Sequence, residues 1–344
     1  TYINGINEAA GALIRTPFTD DVVGRRAALA KAKGLIELIP ESWTVFRRKM
    51  SANWSGDIRQ IKTRYHTQRG GKSDEPWELF KAYGEVEGSD GLKAAINIGN
   101  VGRNLNDNKW TTGNIRIMAS IDDTFKWLLA RVRSKEKGLR QVLEEMGDDT
   151  GPISREALAQ AEDIHYNHLL DSEGNIDLNK DKWLRKQFEE VTLTEDIGKL
   201  GEALDRVFEV VPHLKPFYLF ARSGINGLKV SFKNTPAVSL LMEESRAILQ
   251  HTGNDFSKLN KFGIDNAEDL ANARNLFAGR QAVGSAVVMT MFTKYAANEL
   301  TGNGPADKQL KQNWINSGWK PNTITFGNIE FDYSSLEPYN LLLS

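Results

Sequence analysis

The sequence predicts a mainly α-helical fold, an irregular assembly of helices with one small β-hairpin near 323–333. Apolar residues recur mainly at intervals of three and four, which places them on one face of a helix. Alternation of apolar and polar residues marks two short runs, 323–326 and 329–333. Gly327-Asn328 separates these runs and is a typical two-residue hairpin turn. Strand content is therefore expected to be small.

The N-terminal region is predicted to begin with two consecutive helices. Asp20-Asp21 opens an amphipathic run that ends at Pro40, because proline lacks a backbone donor and clashes with the preceding turn. Pro40-Glu41-Ser42 then starts a shorter helix, since proline is favoured in a first turn. Further helical segments are expected at 54–66 and, in short pieces between glycines, at 76–103.

The middle of the chain is predicted to contain one long helix followed by shorter ones. The long helix runs from about Met118 to Met146 and is broken at Gly147. Ser154 then caps a helix through Leu170, because its side-chain oxygen can accept a hydrogen bond from a free amide of the first turn. Further helices are predicted near 180–190, 194–211, 225–233, 236–252 and 266–300.

Loop signals divide the chain into four predicted regions. The segment 104–114 is rich in Asn, Gly and Thr and is the expected internal boundary. The regions are an N-terminal helical region at 1–103, a linker at 104–114, a helical domain at 115–300, and a Gly/Pro/Trp block with the hairpin at 301–344. An apolar segment begins at 340–343, so the chain is expected to be an excerpt from a longer polypeptide.

Composition excludes several classes of function. The chain has 344 residues, 40% hydrophobic and 26% charged, which is ordinary for a globular protein. Its 44 Lys and Arg against 45 Asp and Glu give a net charge of −1, which does not favour a dedicated binder of nucleic acid or anionic membrane. The chain has no cysteine, so disulfides, thiolate catalysis and cysteine-based zinc sites are excluded.

Two motifs have some features of metal sites. Asp171-Ser-Glu-Gly-Asn-Ile-Asp177 places oxygen-bearing side chains at alternate positions, as a calcium loop does. An EF-hand also requires Gly at its sixth position and Glu at its twelfth, where this chain has Ile176 and Lys182. His165 and His168 share a helix face but lack an HExxH pattern. A polar turn and a partly exposed helix face are therefore the favoured interpretations.

Two further motifs have some features of enzyme sites. Asn97-Ile-Gly-Asn-Val-Gly102 lacks the third glycine and the βαβ context of a dinucleotide site. Glu41-Ser42 matches the catalytic pair of lytic transglycosylases, but Trp43-Thr-Val-Phe-Arg-Arg-Lys follows it in place of a Gly-Leu-Met-Gln-like stretch. The sequence thus predicts no catalytic, cofactor-binding or metal-binding residue and no cofactor. A segment of a cell-wall-degrading enzyme of the lytic transglycosylase type is the alternative.

One predicted helix is strongly basic. It carries Arg131, Arg133, Lys135, Lys137 and Arg140. This face could meet DNA or an acidic partner subunit. Glutamates on the same helix partly compensate the charge, so a solvated face is the favoured interpretation.

The segment 282–297 is apolar apart from Ser285, Thr290, Thr293 and Lys294. It is shorter than the roughly 20 apolar residues that a membrane span needs. A helix buried in a bundle is therefore predicted, with membrane insertion after a large rearrangement as the alternative.

Three segments, in order, carry a resemblance to a known family. They are Gly113–Lys126 (GNIRIMASIDDTFK), Pro216–Asn226 (PFYLFARSGIN) with Asn234-Thr235-Pro236 after it, and the block from Thr301 to Leu343 with Trp314, Trp319 and the hairpin. They resemble blocks of the very large internal virion proteins, also called core or ejection proteins, of short-tailed phages. The resemblance covers about 113–344, and Ser223-Gly224 stands where the family pattern has Thr-Pro.

The resemblance implies a structural role inside a virion. Such proteins pack in the capsid around the portal, leave it during infection and help to build a conduit across the host envelope. The implied partners are further copies of the chain, other internal virion proteins and the portal. Genomic DNA passing by and, after ejection, the host envelope are also implied partners. An intracellular helical scaffold unrelated to phages is a third hypothesis.

Two structural expectations accompany the resemblance. Gly302 and Gly304 are expected to end helix 266–300 by adopting left-handed backbone angles, and Pro305 to prevent its continuation. Trp314 and Trp319 are expected to anchor the hairpin against the end of that helix. Eight Trp and fifteen Phe also indicate that some apolar faces are buried between subunits, in a homo-oligomeric ring or tube.

Overall fold

The computed structural model describes residues 2–18, 21–57, 60–61, 112–147, 151–195, 215–327 and 329–334. These residues form α-helices and one two-stranded antiparallel sheet, which confirms the predicted mainly α fold. The helices are α1 (Tyr2–Ile14), α2 (Val22–Glu37), α3 (Ile39–Ser55), α4 (Gly113–Met146), α5 (Arg155–His168), α6 (Lys182–Val191), α7 (Lys215–Asn234), α8 (Glu243–Gln250), α9 (Ala267–Ala296) and α10 (Lys308–Asn316). The strands are β1 (Thr323–Phe326) and β2 (Ile329–Asp332).

Contacts divide the chain into two units. Unit 1 contains residues 33–196, and unit 2 contains residues 2–32 and 197–344. The predicted linker 104–114 falls inside unit 1, but most of it lies outside the described residues, so the predicted regions stay a prediction. The predicted loop 66–74, the helical pieces at 76–103 and most of the predicted helix 194–211 also lie outside them.

In unit 1, the long helix α4 forms the centre and α3, α5 and α6 pack against it. One core cluster joins Leu129 and Ala130 of α4 to Leu184 and Phe188 of α6. Helix α5 approaches α4 closely at Gly138, where an added Cβ would lie 2.8 Å from the backbone nitrogen of Glu162. The absence of a side chain at this position therefore permits the packing.

Local signals set most helix ends of unit 1 as predicted. Pro40 lies in the first turn of α3 as predicted, but α3 extends to Ser55 and has 17 residues against 16 in α2, so the prediction of a shorter helix is wrong. Gly147 has φ 60° and ends α4 in the left-handed conformation that glycine adopts without strain. Ser154 Oγ accepts from the backbone N–H of Ala157 and caps α5.

In unit 2, α1 packs along the N-terminal half of α9. The two backbones nearly touch at two glycines. An added Cβ on Gly279 would lie 1.5 Å from the carbonyl oxygen of Asn7, and one on Gly11 would lie 1.8 Å from that of Asn275. Polar side chains cross the same interface, where Arg15 donates to Asn275 Oδ1 at 2.6 Å. This helix pair thus depends on small residues and on hydrogen bonds.

The end of α9 corrects one sequence prediction. The helix begins after Asn266, whose side chain accepts from the backbone N–H of Asp269 at 2.9 Å, close to the predicted start. It ends at Ala296 and does not continue to residue 300. Asn298 adopts the left-handed conformation with φ 57°, so the helix is already closed before Gly302 and Gly304. The prediction that these two glycines end the helix is wrong.

The hairpin has the predicted position. Thr323 pairs with Asp332 and Phe326 with Ile329, and Gly327 has φ 62° in the turn. The residues after α9 run beside β1, since the N–H of Thr325 donates to the Glu299 carbonyl at 2.7 Å. The hairpin is therefore fixed to the end of α9 through the backbone.

The tryptophans of the C-terminal block act differently from the prediction. Trp314 is exposed and meets Trp319 edge to face at 5.4 Å. Trp319 packs over Gly304, where an added Cβ would lie 2.5 Å from the indole ring. This pair links α10 to the preceding loop. The anchor of the hairpin is instead Tyr333, which is buried and donates its O–H to the Thr301 carbonyl at 2.6 Å.

Replacing Tyr333 with phenylalanine should lower the free energy of unfolding by about 1 kcal/mol, the usual contribution of one buried hydrogen bond. Urea denaturation measures this change. Tyr295→Phe is the matched control, because this tyrosine is 67% exposed on the single chain and the substitution removes only its hydroxyl and keeps the ring. Equal stability of Tyr333→Phe and the wild type would show that this contact does not hold the hairpin.

Candidate interaction surface

The oxygen-rich loop at 171–177 is a hydrogen-bonded turn. Asp171 Oδ1 accepts from the backbone N–H groups of Glu173 and Asn175 at 2.9 and 2.8 Å. The hydrogen bond from the Asn175 N–H contributes most to a lowered pKa of Asp171. Across the described ranges, no group of three or more His, Asp or Glu side chains is placed to hold a metal ion. His165 is half-buried and His168 exposed on α5.

Glu41, the residue weighed as a catalytic acid, lies on an open helix surface. It is exposed in the first turn of α3, and Ser42 Oγ donates to the Ile39 carbonyl at 2.7 Å. Trp43 is also exposed and stacks on Phe46 at 5.4 Å. A glycosidase acid needs a cleft that encloses the sugar and raises the acid's pKa. Residues 97–102, the weighed phosphate motif, lie outside the described residues.

The basic side chains of α4 are paired within unit 1. Arg133 is buried, and its guanidinium contacts Glu136 at 3.2 Å and Asp181 at 3.1 Å. Lys137 contacts Asp181 at 2.8 Å, and Arg140 lies 3.8 Å from Glu136. Four charges from α4 and one from the start of α6 thus form one network.

Two outer pairs complete this pattern. Arg131 contacts Asp163 at 3.4 Å and lies over the ring of Tyr166, and Lys135 contacts Glu162 at 3.4 Å. The compensation by glutamates that favoured a solvated face is present, but the face is not fully solvated. Arg133 and Arg140 are buried, and the cations pair with acidic groups of α4, α5 and the start of α6.

Asp181 joins the network to the fold of α6. Its Oδ1 accepts from the backbone N–H of Leu184 at 2.8 Å, which caps the helix. Burial alone would raise the pKa of this carboxyl group. The charges of Arg133 and Lys137 outweigh that effect, and the pKa is held well below its usual range. Asp181 is therefore ionised at neutral pH and belongs to the interior of unit 1.

An open apolar groove runs along one face of α9 in unit 2. It has a volume of about 610 Å³ and lies between α9 and the side chains of Ile14, Arg15 and Leu249. The wall formed by α9 consists of Arg274, Phe277, Ala278, Gln281, Ala282 and Ser285. Burial, and then the charge of Arg274, lower the pKa of Arg15.

The same face of α9 continues beyond the groove as an exposed apolar ridge. Met289, Phe292 and Tyr295 are 73%, 71% and 67% exposed, and Val288 is also exposed. Isolated exposed apolar residues are common, but several on one helix face mark an interaction site. We call the groove and the ridge together the α9 face.

The burial predicted for 282–297 in a bundle inside a particle stays a prediction. On the single chain, Gly284 is buried against the carbonyl of Asn234. From Ser285 onward the helix is mostly exposed. Within the described part of the chain, no helix is both long enough and apolar enough to cross a membrane.

Comparisons with protein-family models, with curated proteins and with solved structures find no match to this chain. The α9 face was not identified from the sequence, because composition alone does not show which half of an apolar helix its neighbours cover. The spacing of Val288, Phe292 and Tyr295 is the signal that could have identified it.

Proposed function

We propose that this chain is a structural segment of a phage internal virion protein. It packs around the portal inside the capsid and, after release, helps to form a conduit for the genome across the host envelope. Its partners are further copies of itself, other internal virion proteins and the portal, with genomic DNA and the host envelope as transient neighbours. The resemblance of three ordered segments between 113 and 344 motivates this proposal.

The observation that carries the assembly role is the α9 face. An apolar surface on this scale costs free energy in water, and proteins that keep one use it to bind a partner. The paired charges of α4 support the same role, because a helix whose cations are neutralised internally is suited to packing and not to binding nucleic acid. Both features are typical of a building block.

The test of location is mass spectrometry of phage particles purified from the phage that encodes the chain. We expect peptides of this chain in intact particles and their loss from particles after ejection has been triggered. Detection only in the lysate, and not in purified particles, would contradict a virion role and favour an intracellular scaffold.

The alternative is a segment of a cell-wall-degrading enzyme, and Glu41 is the residue on which it depends. We expect no clearing of peptidoglycan by the purified chain in a zymogram, and no difference between wild type and Glu41→Gln. The exposed position of Glu41 is the physical reason, since a glycosidase acid must lie in a cleft that encloses the sugar. Clearing by the wild type that is lost in Glu41→Gln would establish the enzymatic alternative.

A further inference from the structure

We propose that two copies of this chain pair through the α9 face, with their α9 helices antiparallel and crossing at Ser285. The inference deepens the proposed assembly function and rests on it in one respect, that the α9 face is buried in an assembly. It adds the partner, the orientation of the two helices and the register between them.

The spacing of residues along the face is the first argument. Seven residues of the face follow one another at alternating intervals of four and three. They are Arg274, Ala278, Gln281, Ser285, Val288, Phe292 and Tyr295. This alternation is the a and d spacing of a coiled coil, which keeps a continuous seam directed at a second helix. The seam extends over three heptads. It begins in the groove and ends on the ridge.

Side-chain size selects the antiparallel orientation. The first half of the face contains three small residues, Ala278, Ala282 and Ser285, between the larger side chains of the groove wall, whereas the second half presents the large residues Met289, Phe292 and Tyr295. Parallel helices would place large against large and small against small. Antiparallel helices that cross at Ser285 place Phe292 opposite Ala278 of the second copy, so that each ridge enters the other copy's groove.

Charge selects the same orientation. The groove carries Arg15 and Arg274, and among the described residues no acidic side chain lines it. A parallel pair would bring the two Arg274 side chains together, and like charges repel. In the antiparallel pair, Arg274 lies near Tyr295 of the second copy, and aromatic rings attract cations.

The area is near the lower limit for a specific pair. The four ridge side chains expose on the order of 400 Å², given that a large aromatic side chain offers about 150–250 Å². The groove adds much less area than the ridge, so the two copies together bury on the order of 1,000 Å². A two-fold contact closes on itself, so other surfaces of the chain must join such pairs into the predicted ring or tube.

Sedimentation of the full 344-residue chain tests the pairing. We expect a dimer at micromolar concentration, and a monomer with an unchanged circular dichroism spectrum after Phe292→Asp. Ile164→Asp is the matched control, because it places the same charge at an exposed apolar residue of helix α5 in unit 1, outside the α9 face. A monomeric wild type, or a Phe292→Asp variant that stays associated, would overturn the proposal.

Single cysteines test the register, since the natural chain has none. Ser285→Cys should form a disulfide-linked dimer under oxidation. Phe292→Cys alone should not, because two residues at this position would lie about 20 Å apart along the pair, at about 1.5 Å per residue. A mixture of Phe292→Cys and Ala278→Cys should cross-link. Self-linking of Phe292→Cys without linking of Ser285→Cys would reject the register.

A monomeric free chain would reject the pairing without changing the result of particle mass spectrometry, which tests the virion role.

Discussion

Replacing Asp181 with alanine should lower the free energy of unfolding by about 3–5 kcal/mol, the usual cost of removing one partner from a buried ion pair. The substitution leaves the buried guanidinium of Arg133 with one carboxylate contact fewer and removes the cap of α6. Chemical denaturation followed by circular dichroism measures the loss.

Two variants separate the effect of the lost carboxylate charge from the effect of the lost helix cap. Asp181→Ser retains an oxygen that can cap α6, so its remaining loss of stability reports the charge. Asp163→Ala removes the partner of Arg131 at a side chain that is 70% exposed, and it should cost at most about 1 kcal/mol. Equal losses of stability in Asp181→Ala and Asp163→Ala would show that burial does not make the charge network more stabilising than an exposed ion pair.

The lowered pKa of Asp181 predicts that the stability of the fold depends on pH. The pKa of Asp181 is lower in the folded chain than the ordinary value near 3.9 that it regains on unfolding. Its contribution to stability is therefore complete above about pH 5 and is lost as the pH falls below 4 toward the folded pKa. The stability difference between wild type and Asp181→Asn should shrink over that acidic range. A difference that does not vary with pH would contradict the lowered pKa.

Replacing Gly279 with alanine should destabilise unit 2 by about 1–3 kcal/mol or more, although alanine favours helices. The new Cβ would lie 1.5 Å from the Asn7 carbonyl oxygen, so α1 and α9 must separate. Gly227→Ala in α7 is the matched control, because nothing lies within 4 Å of its added Cβ. The control should gain roughly 0.5–1 kcal/mol from helix propensity. In urea denaturation, we expect the free energy of unfolding to fall in Gly279→Ala and to rise in Gly227→Ala. A rise in both variants would contradict the close helix contact.

The parts of the fold that were predictable depend on local chemistry. Pro40, Gly147 and Ser154 act within a few residues of their own position, so the sequence predicts the start of α3, the end of α4 and the start of α5. Gly327 likewise indicates the hairpin turn. The end of α9 was not predictable in the same way, because Asn298 adopts the left-handed conformation before Gly302 is reached.

The candidate surface was less predictable because it depends on contacts between distant residues. Arg133 and Asp181 are 48 residues apart, so the sequence alone favours a solvated face for the basic helix and does not show this pairing. The burial of 282–297 was predicted from its apolar character. Its first part packs against other helices, and Phe292 and Tyr295 extend past them. Periodicity identifies an apolar face but does not show what covers it.

Oxidative footprinting of Met289 tests the central claim, that the α9 face is buried in an assembly. Met289 is 73% exposed on the single chain, and Met146 in unit 1 is 41% exposed and provides an internal reference. The comparison is between the chain inside intact phage particles and the Phe292→Asp chain free in solution. We predict that oxidation of Met289 relative to Met146 falls severalfold in the particle. An unchanged ratio would show that the α9 face remains open to water and would contradict the assembly role proposed for this chain.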